Sequence, residues 1–144
     1  MEIITEFIKL NTRGHTDIID ITPHVQDIIS SKGFTEGQAL VSAIGSTTGI
    51  TTVEYEPGLV KTDIPKLLSQ YIPYGPDYAH NDTWGDDNGA AHLRSSLIGT
   101  SITVPFLNGE LLLGRWQQII FIDFDTRSRA RKIAVQLTGK KPEE

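Results

Sequence analysis

The dipeptide Asn108-Gly109 constrains this chain more than any other feature of its sequence. It separates two apolar-rich runs, Thr100–Leu107 (TSITVPFL) and Glu110–Leu113. The type I′ two-residue hairpin turn needs positive φ at both central residues, which Asn and Gly reach at least cost, and its twist matches the strands it joins. The spacing therefore predicts a β-hairpin. Arg115–Phe124 (RWQQIIFIDF) and Ala130–Leu137 (ARKIAVQL) read as two more strands, so the second half of the chain is hairpin-rich. The first half supplies alternating runs at residues 2–11 and Ile50–Tyr55, a short β-branched run at Asp17–Ile21 and a buried strand at Gln38–Ile44.

Helical signals are fewer. Thr22-Pro23 looks like an N-cap followed by proline in the first turn. Val25, Ile28 and Ile29 then share one face, and Gly33 is placed to end the helix in a left-handed conformation. Pro57–Tyr71 has helical spacing, but Pro65 inside it predicts a kink or a split into two helices. Residues 72–91 hold Pro73, Gly75, Pro76, Gly85 and Gly89 and read as a long irregular loop, after which Asn88 would cap a short helix over Ala90–Ile98. Seven or eight strands with two or three helices, the strands clustered at both ends, predict an α+β fold. We expect a largely antiparallel sheet or sandwich in a single domain over residues 1–144.

Composition narrows the function classes. A chain of 144 residues with 38% hydrophobic residues can build one core without staples. A formal charge of −5 disfavours nucleic acid as a partner, because such partners select a basic face. The absence of cysteine excludes thiolate catalysis and thiolate metal sites. The N-terminal run MEIITEFIKLN lacks the positive region of a signal peptide, and no apolar run approaches the ~20 residues that span a bilayer. A cytoplasmic location with no membrane partner is expected.

The densest concentration of chemically capable side chains is Asp77–His92, with Asp77, His80, Asp82, Asp86, Asp87, Asn88 and His92. Imidazoles and carboxylates bind divalent metals and move protons near neutral pH. Asp, Asn and Gly also favour solvated turns, so composition alone leaves loop and site equally open. The loop Gly45–Gly49 (GSTTG) could cradle a phosphate through its amides, although a plain strand connection explains it as well. Glu54 ends a strand. Arg127, Arg129 and Arg131 share a period-two face that reads as an anion-binding stripe, a subunit contact or, most simply, a solvated edge strand blunted by charge.

The second half also carries an ordered set of motifs. Asn88-Gly89-Ala90-Ala91-His92-Leu93-Arg94-Ser95-Ser96-Leu97-Ile98-Gly99 is followed by the Asn108-Gly109 hairpin, then Leu111–Gln117 (LLLGRWQ), then Asp125–Arg131 (DTRSRAR). In this order they resemble the YjbQ-like family, also called the secondary thiamine-phosphate synthase family. Many bacterial members have Pro-His-Thr-Thr-Ala where this chain has Gly45-Ser46-Thr47-Thr48-Gly49, so Ser46 stands in place of a histidine. The chain also has Ala90 where the family segment carries Asp. It resembles a divergent, archaeal-type branch.

The resemblance implies a homotrimer, a histidine-containing pocket that sometimes holds a metal, and a weak thiamine-phosphate-forming activity in some members. On that basis His80 and His92 are expected as ligands of a divalent metal, zinc or magnesium, or as acid/base groups. Asp86 and Asn88 would orient them. Ser46, Thr47 and Thr48 would take the phosphate of a small phosphorylated metabolite. Arg115, Trp116 and Gln117 would complete the pocket, with Trp116 stacked on a heterocycle. A metal-assisted hydrolysis would instead need a carboxylate base such as Glu54, Asp82 or Asp86. A non-catalytic trimeric module binding a metal or an anionic metabolite is the alternative from a different class.

Overall fold

The alternating runs form eight strands in two antiparallel sheets, seen in a computed structural model that describes residues 1–142. In chain order the elements are β1 (Glu2–Thr12), β2 (Asp17–Asp20), α1 (Thr22–Lys32), β3 (Glu36–Ala43) and β4 (Thr48–Val53). A single π-helical turn, Leu59–Asp63, leads into α2 (Ile64–Tyr71), α3 (Ala79–Trp84) and α4 (Gly89–Ile98). The chain then forms β5 (Ser101–Leu107), β6 (Glu110–Leu111), β7 (Gln118–Asp123) and β8 (Arg129–Lys140). One sheet has the order β1-β8-β3-β5-β6 and the other β2-β7-β4. The fold is α+β, as expected, with four helices where two or three were read.

The layers follow from side-chain alternation. Ile119 and Phe121 of β7 face the five-stranded sheet, packing with Ile8, Val41, Ile133 and Val135 and with Val25 and Ile29 of α1. Ile120 and Ile122 point the other way, to Val60, Leu68, Ala91 and Phe124 beneath the remaining helices. The small sheet is therefore the middle layer, which explains why β7 is apolar at four successive positions rather than alternating. Each large apolar side chain fully buried here contributes about 1.5–3 kcal/mol.

Local signals behaved differently from one another. Asn108 and Gly109 have φ of 52° and 77°, the positive values that the hairpin demanded. Gly33 ends α1 at φ 72°. Pro65 has no N–H to close an α-turn, and the segment divides there into the π-turn and α2. Thr22 is not a cap: α1 begins at Thr22, whose hydroxyl instead accepts the Ile119 N–H at 2.8 Å and ties the helix to β7. The stretch 72–91 is not wholly irregular, because α3 forms inside it. Gly85 stops α3 at φ 63°, and Asn81 pins it by donating to the Gly75 carbonyl and accepting the Gly89 N–H. Finally, β8 lies between β1 and β3, but β3 ends opposite Ile133, so the arginine-bearing end pairs with β1 alone. The solvated reading holds for Arg127, which precedes the strand and is 60% exposed, and fails for Arg131, which is enclosed against Asp123.

Candidate functional site

Helices α3 and α4 bring His80 and His92 together. Their ring centroids are 4.5 Å apart, with the planes inclined at 59°. The two helices approach closely because Gly89 opens α4. A Cβ at that position would lie 2.6 Å from the Tyr78 side chain, so only glycine lets the segments meet. Asn88 occupies the N-cap position of α4 but does not cap it with its side chain. Its Oδ1 lies 3.0 Å from His80 Nε2, and its Nδ2 donates to Asp125 Oδ1 at 3.4 Å.

Asp125 is the hub that connects these helices to the two sheets. Thr47 donates its hydroxyl to Asp125 Oδ2 at 3.3 Å, Thr126 donates its amide to Oδ1 at 2.8 Å, and Arg129 pairs with Oδ2 at 3.0 Å. Beside it, Arg131 grips Asp123 with two hydrogen bonds, Nε to Oδ2 at 2.7 Å and Nη2 to Oδ1 at 3.0 Å. Asp123 is 0% exposed and also accepts the Thr12 hydroxyl at 2.6 Å. Burial by itself would raise the Asp125 carboxyl. The Thr126 amide, Arg129, Asn88 and Thr47 outweigh it and hold the group below the usual carboxylate range. Asp123 and Asp125 were not singled out as site residues. The signal that could have found them was the Asp125–Arg131 motif itself, whose acid and base ends close on one another across the sheets.

Thr47 therefore does sit beside Asn88, joined through Asp125, so the GSTTG loop and the histidine segment are neighbours. Its hydroxyl is already engaged, donating to Asp125 and accepting Arg131 Nη2 at 2.8 Å, and it has no free hydrogen to offer a phosphate. Thr48 is buried with its hydroxyl unpartnered, and Ser46 is exposed at the loop tip. Asp86 does not orient a histidine. Its carboxylate accepts the Asp87 amide and lies 3.9 Å from Arg127. Asp87 accepts the Thr126 hydroxyl at 2.7 Å, the main reason its carboxyl is lowered despite exposure. With His15, Tyr74 and Asn81, these acids border an open cleft of ≈ 480 Å³.

The remaining expected residues lie elsewhere. Glu54 follows the last residue of β4, and Arg115, Trp116 and Gln117 precede the first residue of β7. In the register of these strands Val53 faces Gln118 while Thr48 faces Asp123. The two groups thus stand at opposite ends of a six-residue strand pair, separated by roughly 17–20 Å at about 3.3 Å per residue. Within one chain Glu54 and Arg115–Gln117 do not join the histidines. Trp116 is 63% exposed with Arg115 stacked 4.9 Å over its ring, and Gln117 bonds the Gly114 amide and the Thr52 hydroxyl.

α4 is anchored from below by a residue the sequence reading passed over. Arg94 is 1% exposed, lies 4.2 Å over the Tyr74 ring, and donates to the Ile72 carbonyl and the Thr16 hydroxyl. Thr16 holds φ at 66°, costly for a β-branched residue, and its hydroxyl is where Arg94 and Tyr74 converge.

Comparison with known proteins agrees with this architecture. Residues 6–140 match the family model described as UPF0047 protein YjbQ-like. A UPF0047 protein of Methanothermobacter thermautotrophicus is 38% identical over 97% of this chain and 95% of its own length. A solved structure of a hypothetical protein from Aeropyrum pernix superposes with a TM-score of 0.88 at 30% identity, covering 97% of this chain and 100% of that one. An uncharacterised YjbQ/UPF0047 family protein from Clostridium acetobutylicum gives a TM-score of 0.83 at 34% identity, over 92% of this chain and 99% of that one. Matched along nearly its whole length in both sequence and fold, the chain belongs to the YjbQ-like UPF0047 family.

Proposed function

We propose that this protein takes a small phosphorylated metabolite, together with a divalent cation, at the His80–His92 pair, and that it has a weak thiamine-phosphate-forming activity. The observation that carries the reading is the 4.5 Å approach of the two imidazoles, drawn from different helices and backed by a buried polar network. Bond lengths of about 2.0–2.1 Å from each nitrogen allow two rings at this spacing to share one zinc ion. Among the described residues no group of three or more His, Cys, Asp or Glu side chains is placed to hold a metal. One chain thus offers two donors, and the ligand, water or a neighbouring copy would supply the others. The homotrimer implied by the family resemblance belongs to the same proposal.

The reaction joins a pyrimidine pyrophosphate to a thiazole phosphate, and pyrophosphate leaves. A bound divalent cation would stabilise the charge that develops on the departing oxygens. His92, whose ring makes no side-chain hydrogen bond among the described residues, is free to bind or to exchange a proton. Asn88 holds His80 in place.

A second reading, binding without turnover, is favoured by one specific observation. Arg129, Arg131 and Thr47 are engaged by Asp123 and Asp125, so these three are not free to hold a leaving phosphate. Rescue of a strain lacking its main thiamine-phosphate synthase tests the first reading, and His92→Ala should abolish rescue. No rescue by the wild-type gene sinks it. Thermal shift with phosphorylated metabolites, read with and without added zinc or magnesium, tests the second: a ligand that raises Tm by mass action but is never consumed supports it.

A further inference from the structure

The orientation of one amide decides which nitrogen of His80 can act. Asp125 is contacted by Arg129 at 3.0 Å and Arg131 at 3.5 Å, and it accepts hydrogen bonds from the Thr126 amide and the Thr47 hydroxyl. A carboxylate so surrounded stays ionised, and an ionised carboxylate can only accept hydrogen bonds. Asn88, 3.4 Å away, must therefore turn its amine toward Asp125. The reverse orientation would set two acceptor oxygens face to face inside the protein. With the amine committed, the Asn88 oxygen is the atom 3.0 Å from His80 Nε2. An amide oxygen cannot donate, so Nε2 must carry the hydrogen. In a neutral imidazole the other nitrogen is then bare.

We infer that Asp125, acting through Asn88, is a positioning residue that fixes His80 as its Nε2–H tautomer and leaves Nδ1 as the one ring nitrogen able to hold a cation or take up a proton. The chain of groups spans three segments: His80 on α3, Asn88 at the start of α4 and Asp125 beyond β7. It follows the general logic by which a ligating histidine donates its second ring N–H to a fixed acceptor, which sets both tautomer and ring angle. Here a neutral amide stands between the ring and the carboxylate, so the carboxylate's charge is relayed as an orientation rather than felt directly. What Nδ1 does rests on the proposed function; the tautomer itself does not.

Long-range nitrogen–proton correlation spectra of the imidazole rings test this on the full-length, labelled protein without metal, at a pH where the rings are neutral. The wild type should show His80 as a single Nε2–H tautomer. Asn88→Ala and Asp125→Asn should each convert it to a mixture of the two tautomers. An Nδ1–H tautomer in the wild type overturns the inference, as does an undiluted Nε2–H tautomer in the variants. Should Asp125→Asn fail to fold, Asn88→Ala, which leaves both ion pairs in place, decides alone. Zinc chloride added afterwards should perturb the His80 Nδ1 resonance first. Perturbation of Nε2 instead overturns the assignment of the acting nitrogen. A correct tautomer with no zinc response leaves the relay standing and removes the metal from the proposed function.

Discussion

The two ends of β7 are built on opposite principles. At the Gln118 end, Arg115, Trp116 and Gln117 stand in solvent, and apart from one exposed hydrogen bond from Gln117 to Thr52 their side-chain contacts are with chain neighbours. At the Asp123 end, two buried carboxylates pair with the largely enclosed Arg131 and the half-exposed Arg129, and join threonines and an asparagine from distant segments. The same strand thus carries an open, apolar-plus-cation surface at one end and a charge network at the other. Removing charges from water is expensive, so the buried end is stable only while every member keeps its partner. The exposed end carries no such interdependence, and its residues are free to serve a surface role.

The largest effect should come from breaking the buried end. Asp123→Ala leaves Arg131 without its two-bonded partner in a site it cannot easily leave. Urea unfolding should show a loss of about 3–5 kcal/mol. A loss below about 1 kcal/mol would mean that the network relaxes into water and that the contrast between the ends is false.

Acid should weaken the same end with a definite sign. Asp125 is held below its ordinary range in the folded state, with Arg129, Arg131 and Asp123 as its charged neighbours. Its contribution is fully present above the unfolded carboxylate value of about 3.9 and fades as pH falls through the lower folded value. Tm measured from neutral pH down to about 3 should fall in the wild type and fall less steeply in Asp125→Asn. Parallel curves for the two proteins would remove Asp125 from the acid response.

At the open end the effects should shrink. Gln117→Ala loses two exposed hydrogen bonds, worth about 1 kcal/mol at most after water replaces them. Trp116→Ala should move monomer stability by no more than about 0.5 kcal/mol. Sedimentation of Trp116→Ala sharpens the comparison further. Dissociation of an assembly that the wild type forms would show that the open end is a contact between copies, and an unchanged assembly would leave Trp116 a solvent residue.

Much of the fold was legible because its determinants are local. The Asn108-Gly109 turn, the stop at Gly33 and the break at Pro65 each depend on the conformational range of one or two residues, which tertiary packing did not override. The meeting of His80 and His92 was legible only as a dense polar stretch. Twelve positions apart, they come together through a helix whose six residues are too few to announce themselves against the prolines and glycines around them. Within α3, Asn81 bonds Gly75 before the helix and Gly89 after it, contacts six and eight positions away that lie beyond the reach of local dihedral preference. Thr22 and Asn88 looked like caps for a good local reason, yet each spends its side chain on a distant partner.

By itself, then, the sequence determined an antiparallel α+β framework, the places where the chain must turn, and the segment richest in reactive groups. Only the tertiary structure decided which of those groups meet. Period-two alternation says that Arg129 and Arg131 share a face, but not that the end of β7 and the turn after it bring Asp123 and Asp125 to meet them. Strand register, set by the whole pairing of β4 with β7, sent Thr47 toward the histidine helices and left Glu54 and Trp116 at the far end. Local dihedral preferences act over one to four residues, whereas the network around Asp125 is assembled from residues up to 78 positions away.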